Sequence, residues 1–262
     1  MDRLRFRSFA SGSNGNCFFI GNSFEGILID AGIGIRTIRK ELKSIGLDFP
    51  NILGVFITHD HFDHVKAIPP LKEKYNVPVF ATSVIHQRLG HDAIPERQII
   101  QKNVPMQLKN ITVTAFEISH DGTDNVGYTV EYQGKRFTLL TDLGYICKNA
   151  ANHISKADYL VIEANYDEEM LEKGSYPALL KERIRGNRGH LSNSAAGNYL
   201  AENMPPSLKY IYLCHLSNAN NLPELAYCTV SDLLAERGFV VGRDVELVTL
   251  DRTSPSGLYI FD

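Results

Sequence analysis

Thr58-His59-Asp60-His61-Phe62-Asp63-His64 follows directly on the apolar run Ile52 to Ile57 and sets three imidazoles and two carboxylates side by side. A short uninterrupted apolar run reads as a buried strand, so the cluster stands at a strand end. Two apart on extended chain, His59 and His61 point the same way, while Asp63 and His64 fall where the chain turns. Two convergent pairs of donors result. Imidazole and carboxylate suit Zn²⁺ or Mn²⁺, and a cluster this dense can serve two ions. Two ions need further ligands, and candidates lie at later strand ends: His120 in ISHDG, Asp142 in LLTDLG and His215 in YLCHLSN. Taken singly, such residues are more often caps or hydrogen-bonding groups than ligands. Beside the histidine cluster they become the expected remainder of the set.

Outward from this segment the chain alternates strand and helix patterns. Leu4 to Phe9, Cys17 to Ile20 and Ile27 to Ile29, separated by SGSNGN and GNSFEG, form a β-meander. The period then changes to that of a helix, with Ile35, Ile38, Leu42 and Ile45 on one face and Gly46 to end it. Beyond the histidine cluster, Pro70 opens a helix through Tyr75, a strand covers Val77 to Ala81, and a helix covers Ser83 to Leu89. Strands follow at Ile111 to Ile118, Val126 to Tyr132, Arg136 to Leu140 and Asp158 to Glu163. Helices are expected at Glu168 to Lys173, Ala178 to Arg185 and Ser194 to Glu202, then a strand at Tyr210 to Cys214. A helix from Pro223 to Arg237 and a strand from Val245 to Leu250 close the reading. No Pro-, Gly- or Ser-rich linker divides the chain, so one domain over residues 1–262 is expected. Strands as apolar as Ile52 to Ile57 and Tyr159 to Ile162 require cover on both faces. That makes an α/β fold, a four-layer αββα sandwich of two mixed β-sheets, the leading architecture, with a three-layer α/β fold as the alternative that pattern alone permits.

Composition narrows the class. The 262 residues carry 27 Lys and Arg against 30 Asp and Glu, a formal charge of -3, with 44% apolar residues, which excludes bulk disorder and a constitutive high-affinity sheath for nucleic acid. Transient binding at a local patch stays open. Cysteines 17, 147, 214 and 228 share no C-x-x-C spacing and are expected to be reduced thiols of a cytoplasmic protein. No stretch approaches the roughly 20 apolar residues of a membrane helix, so no membrane partner is expected.

The arrangement H-x-H-x-D-H, preceded by Asp30 in ILIDAG and followed by His120, Asp142 and His215, resembles the metallo-β-lactamase superfamily over essentially the whole chain. The resemblance implies that His59, His61 and His120 hold one ion, that Asp63, His64 and His215 hold the other, and that Asp142 bridges them. Asp30 matches the position that supports the histidine loop from behind. Secreted β-lactamases of the superfamily lack a His directly after the Asp of the motif, so His64 points to the hydrolase and phosphodiesterase branch. SFASGSNGNCFFI (8–20), VGY (126–128) and CHLSNANNLPELA (214–226) resemble the bacterial YycJ (WalJ) subfamily, which implies 5′→3′ exonucleolytic hydrolysis of DNA. Glu163, His190 and His215 are similar in order to the Glu, His and His of ribonuclease Z, where the first two assist the leaving group and the last is a ligand. His-Leu-Ser-Asn occurs at 190 and again at 215, one copy expected to serve the substrate and the other the metal. Only 72 residues, 143 to 214, separate Asp142 from His215, too few for the β-CASP insertion of the large nucleases.

The chemistry implied is hydrolysis of a phosphodiester by a hydroxide bridging two divalent ions, Zn²⁺ or Mn²⁺, with DNA as a transient partner. The catalytic set is His190, Glu163 and Asp63, with His190, oriented by Glu163, protonating the departing oxygen. For His190 the competing reading is a residue neighbouring a helix cap, and for Glu163 a buried structural partner. Substrate contacts are expected from Ser13 and Asn16 in a Gly-rich turn, from Arg188, and from Ser192 and Asn193; a plain hairpin turn explains the first two equally well, and a solvated helix end is the better reading of at least one of Arg183, Arg185 and Arg188. His86, His91 and His153 fit no constellation. A small-molecule hydrolase acting on a cyclic phosphodiester or thioester is the alternative enzyme. A metal-free binding or regulatory protein is the alternative outside enzymes. The sequence leaves oligomeric state open.

Overall fold

A computed structural model describes residues 2–90 and 98–261, so His91 lies outside the described residues. Two mixed sheets are present. The first has the order β13-β1-β2-β3-β4-β5, from β1 (Leu4–Gly12), β2 (Gly15–Gly21), β3 (Gly26–Ile29), β4 (Ile52–Phe56), β5 (Val79–Phe80) and β13 (Tyr259–Phe261). The second has the order β12-β11-β10-β9-β8-β7-β6, from β6 (Met106–Leu108), β7 (Ile111–Glu117), β8 (Val126–Tyr132), β9 (Lys135–Leu140), β10 (Tyr159–Glu163), β11 (Tyr210–Cys214) and β12 (Glu246–Thr249). The chain divides into two compact units: Met1–Ala115 with Gly122–Val126 and Arg252–Asp262, and Phe116–Asp121 with Gly127–Asp251.

In the first unit the expected meander is present, β1 pairing β2 and β2 pairing β3 antiparallel, before the sheet turns parallel at β3 and β4. The four helices among its described residues are α1 (Ile35–Ser44), α2 (Phe62–Val65), α3 (Ile68–Tyr75) and α4 (Ser83–Arg88). Ile38 and Leu42 of α1, Leu71 of α3 and Ile85 of α4 are fully buried in one core with Phe19, Leu28, Val55 and Ile57. Each such side chain contributes about 1.5–3 kcal/mol on burial. Gly46 ends α1 as expected, at a φ of 84° that lets Leu47 N–H reach Leu42 O. The helix expected from Pro70 begins two residues earlier, and a separate turn of helix, α2, occupies the segment read as an irregular stretch. The strand β13 had no counterpart in the sequence reading; three residues pair it with β1.

In the second unit β9, β10, β11 and β12 run parallel. α5 (Lys148–Ile154), α8 (Asn193–Asn203) and α9 (Pro223–Glu236) bury Ala150, Ile154, Leu200, Val230 and Leu234 against Leu160, Ile162, Ile211 and Leu213 of the sheet. The alternate positions Tyr159 and Tyr212 flank Phe137 with ring centroids 6.1 and 6.3 Å away, an aromatic row on the sheet's other face. β10 is buried at every residue, as its unbroken apolar run requires. α6 (Glu168–Lys173) and α7 (Ala178–Arg185) match their expected spans. α5 was not anticipated: KNAANHI carries two small alanines and too few large apolar residues to show a period. No helix among the described residues is long and apolar enough to cross a membrane.

Candidate metal centre

Each unit carries proposed ligands beyond the carboxyl ends of neighbouring parallel strands, with His120 added from beyond the end of β7. In the first unit β3 delivers Asp30, and β4, paired with it in register Ile29 to Phe56, delivers Thr58 and His59. Asp30 is fully buried and sits at a φ of 58°, a left-handed conformation a non-glycine residue adopts at a cost of about 1–3 kcal/mol and retains where the surroundings enforce it. Here they do. Its carboxylate accepts from Thr58 N–H at 2.9 Å, from the Thr58 hydroxyl at 2.8 Å and from His64 Nδ1 at 2.7 Å. Burial pushes the Asp30 carboxyl above its ordinary range, partly offset by the facing His64.

The Thr58 hydroxyl, its proton given to Asp30, accepts in turn from His59 Nδ1 at 3.0 Å. One carboxylate therefore fixes both His59 and His64 with Nδ1 as donor, which leaves the lone pair on Nε2, the atom that ligates. His59 lies 4.1 Å from the His64 ring and 4.5 Å from the His61 ring, centroid to centroid. Asp63 Oδ2 stands 3.5 Å from His64 Nε2. Gly32 makes this packing possible: a Cβ there would come within 1.5 Å of the Asp63 carbonyl oxygen. The motif's other carboxylate, Asp60, faces elsewhere, accepting from Thr123 N–H at 3.0 Å and the Thr123 hydroxyl at 2.7 Å.

In the second unit β9, β10 and β11 end in register, Ile162 beside Leu140 and Glu163 beside Cys214. Asp142, with Thr141 between it and the end of β9, and His215, directly after β11, sit at φ of 56° and 54°, the same left-handed bend that Asp30 makes. Glu163 is fully buried and uses both oxygens. Oε1 accepts from His190 Nδ1 and from His215 Nδ1, each at 2.8 Å; Oε2 accepts from the backbone N–H of Leu143 at 2.9 Å and of Leu191 at 3.0 Å. Burial opposes its charge, but the two imidazoles prevail and hold the carboxyl below its ordinary value. Burial likewise opposes the charge on His190, and Glu163 prevails, so the imidazole is pushed up to about 9. Asp142 Oδ1 stands 3.2 Å from His215 Nδ1 and 3.8 Å from His120 Nε2. His120 donates from Nδ1 to Gly189 O at 2.9 Å, so Nε2 is the atom it would offer a metal, and burial lowers its pKa. Donor atoms of Asp142, Glu163, His190 and His215 all lie within 4.8 Å of one another. Imidazoles locked by Nδ1, converging with carboxylates, fit a divalent metal of the zinc or manganese type.

The expected substrate contacts divide. Ser13 is exposed at the β1–β2 turn and Arg188 is exposed with its Nε 3.3 Å from His120 O. Asn16 is fully buried instead, its amide 3.0 Å from His64 Nε2 and 3.4 Å from Asp63 Oδ2. Ser192 caps α8 by accepting from Ala195 N–H, and Asn193 is fully buried in a reciprocal amide pair with Asn221 at 2.8 and 2.9 Å. These last three side chains therefore have structural roles inside the fold, beside which any contact with substrate stands as an expectation. Sequence reasoning missed Thr58, and Asn165, whose amide donates to His215 O at 2.7 Å. The Thr directly before the first His of the motif was the one available signal.

Residues 26–212 match the model of the β-lactamase superfamily domain. The chain is 33% identical to exodeoxyribonuclease YycJ of Bacillus anthracis, covering 97% of both proteins, and 33% identical to exodeoxyribonuclease WalJ of Streptococcus pneumoniae, covering 93% of both. The metallo-β-lactamase fold protein YhfI of Bacillus subtilis superposes over 100% of both chains with a TM-score of 0.72 at 14% identity. The chain belongs to the metallo-β-lactamase superfamily. It is a metal-dependent hydrolase, and the fold expected from its sequence is the fold it has.

Proposed function

We propose that the chain is a DNA exonuclease of 5′→3′ polarity, in which His59, His61 and His120, and Asp63, His64 and His215, with Asp142 shared, hold two divalent ions, Zn²⁺ or Mn²⁺. The two units are then halves of one domain, a reading supported by the family match running through both. When bound, the ions acidify an attacking water and neutralise charge on the phosphate oxygens. The chain's own residues supply the rest. Asp30 and Glu163 orient imidazoles through Nδ1, and Glu163 keeps His190 protonated, as a group that donates a proton to the departing 3′ oxygen must be. The observation that carries the reading is the Glu163 clamp. One carboxylate oxygen joins both copies of His-Leu-Ser-Asn, so a metal ligand and a proton donor share a single orienting group. The names of the 33% identical relatives support DNA as the substrate, and the spacing of the four cysteines, none in C-x-x-C, fits a cytoplasmic setting.

The test is digestion of single-stranded DNA labelled at the 5′ or the 3′ end, with bis-p-nitrophenyl phosphate and a thioester in parallel. Release of labelled mononucleotide first from the 5′ end is expected. Strong thioester hydrolysis with none on diesters overturns the phosphodiesterase reading.

A further inference from the structure

Phe62 lies between His61 and Asp63 in the histidine motif and is 71% exposed. A scattered apolar side chain on a surface is ordinary. This one stands on a short rigid element flanked by two ligand candidates. α2 is fastened to the loop after β3 by Ala31 N–H to His64 O and Ala67 N–H to Ala31 O, both 2.8 Å, and Lys66 N–H reaches Phe62 O at 3.1 Å. One turn further on, the Lys66 ammonium lies 5.9 Å from the Phe62 ring centroid. An open aromatic face with a cation beside it is the combination that holds single-stranded nucleic acid, the ring stacking on a base and the cation meeting phosphate. A phosphate bound at ions that His61 and Asp63 would hold lies next to this ring in sequence, which puts the base it carries on the ring's side of the site.

We propose that Phe62 is the stacking platform for the base of the nucleotide whose phosphate the histidine motif holds, and that Lys66 contacts an adjacent phosphate. The inference rests on the DNA exonuclease reading and adds to it a base-binding subsite. Every base has a π face, so the platform accepts each nucleotide in turn without selecting among them.

The test pairs a protein change with a substrate change. Phe62→Ala should lower kcat/KM on single-stranded DNA by about 5- to 20-fold, chiefly through KM, and Phe62→Tyr should restore it. With an abasic terminal nucleotide, the wild type should lose a similar factor and Phe62→Ala little more. A phosphorothioate-linked oligonucleotide with 2-aminopurine at its 5′ end should be quenched on binding the wild type and Phe62→Tyr, and not Phe62→Ala. Lys66→Ala should reduce the slope of log KM against log salt by about 0.7. Equal losses on intact and abasic DNA, or quenching unchanged in Phe62→Ala, overturn the platform while leaving the exonuclease reading intact. A metal-loaded wild type inert on DNA overturns both.

Discussion

The two units solve the same problem at different ranges of sequence. In each, a fully buried carboxylate beyond or at the end of a parallel strand grips two groups that present imidazoles. Asp30 holds Thr58 and His64, and through Thr58 also His59; Glu163 holds His190 and His215. The electrostatic outcomes differ. Burial wins at Asp30, whose carboxyl is raised, while facing imidazoles win at Glu163, whose carboxyl is lowered. On the proposed assignment the difference is a division of labour: Asp30 would serve histidines that bind metal, whereas Glu163 would serve one that binds metal and one that holds a proton.

That comparison breaks most visibly at the shared ligand. Asp142→Asn should lose metal and activity together, with turnover falling by about 10⁴-fold or more as the charge stabilisation supplied by the ions disappears; metal analysis beside a DNA digest checks it. His190→Ala should cut turnover by about 10²- to 10⁴-fold with metal content unchanged, which separates the proton role from the ligand role. Full turnover in that variant removes His190 from the mechanism. Asp30→Asn should weaken metal affinity by about 10- to 100-fold, measured by competition with a chelating dye, and turnover should return at saturating metal. The smallest effect lies away from the site. His153 packs flat on Phe116 at 4.0 Å and donates or accepts at Thr129 Oγ1, and burial, with Lys156 and Arg136 nearby, depresses it to about 4. The unfolded chain takes up that proton near 6.5, so the folded state's advantage is complete above this pH and is lost as pH falls towards 4. His153→Phe should flatten that acid sensitivity, by less than the full shift because the half-exposed ring is screened by solvent, in denaturant titrations at pH 7 and pH 4.5.

The first unit's candidate ligands were legible as a cluster because they are local: His59, His61, Asp63 and His64 fall in one turn-forming segment behind an unmistakable strand. Their support was partly legible, since Asp30 follows ILI, but the Thr58 hydroxyl relay depends on a left-handed bend at Asp30 that no periodicity reveals. In the second unit Glu163 and His215 meet because β10 and β11 pair in register, and His190 joins them from the loop before α8, whose Leu191 N–H bonds Glu163, so sequence could place the three in order and could not show that one carboxylate oxygen serves both histidines. Repetition of His-Leu-Ser-Asn marked both histidines and gave no sign that Ser192 caps α8 or that Asn193 pairs with Asn221. Among elements, short edge strands such as β6 and β13 were missed, having too few residues to display alternation.

The central claim is that this chain hydrolyses DNA from its 5′ end with bound divalent metal. Metal analysis of the purified protein, followed by digestion of 5′-labelled single-stranded DNA before and after chelation, tests it directly. The account predicts about two ions per chain and release of the labelled terminal nucleotide that stops on chelation and returns on adding Zn²⁺ or Mn²⁺. Undiminished digestion by metal-free protein, or a metal-loaded protein that leaves DNA intact, would contradict it.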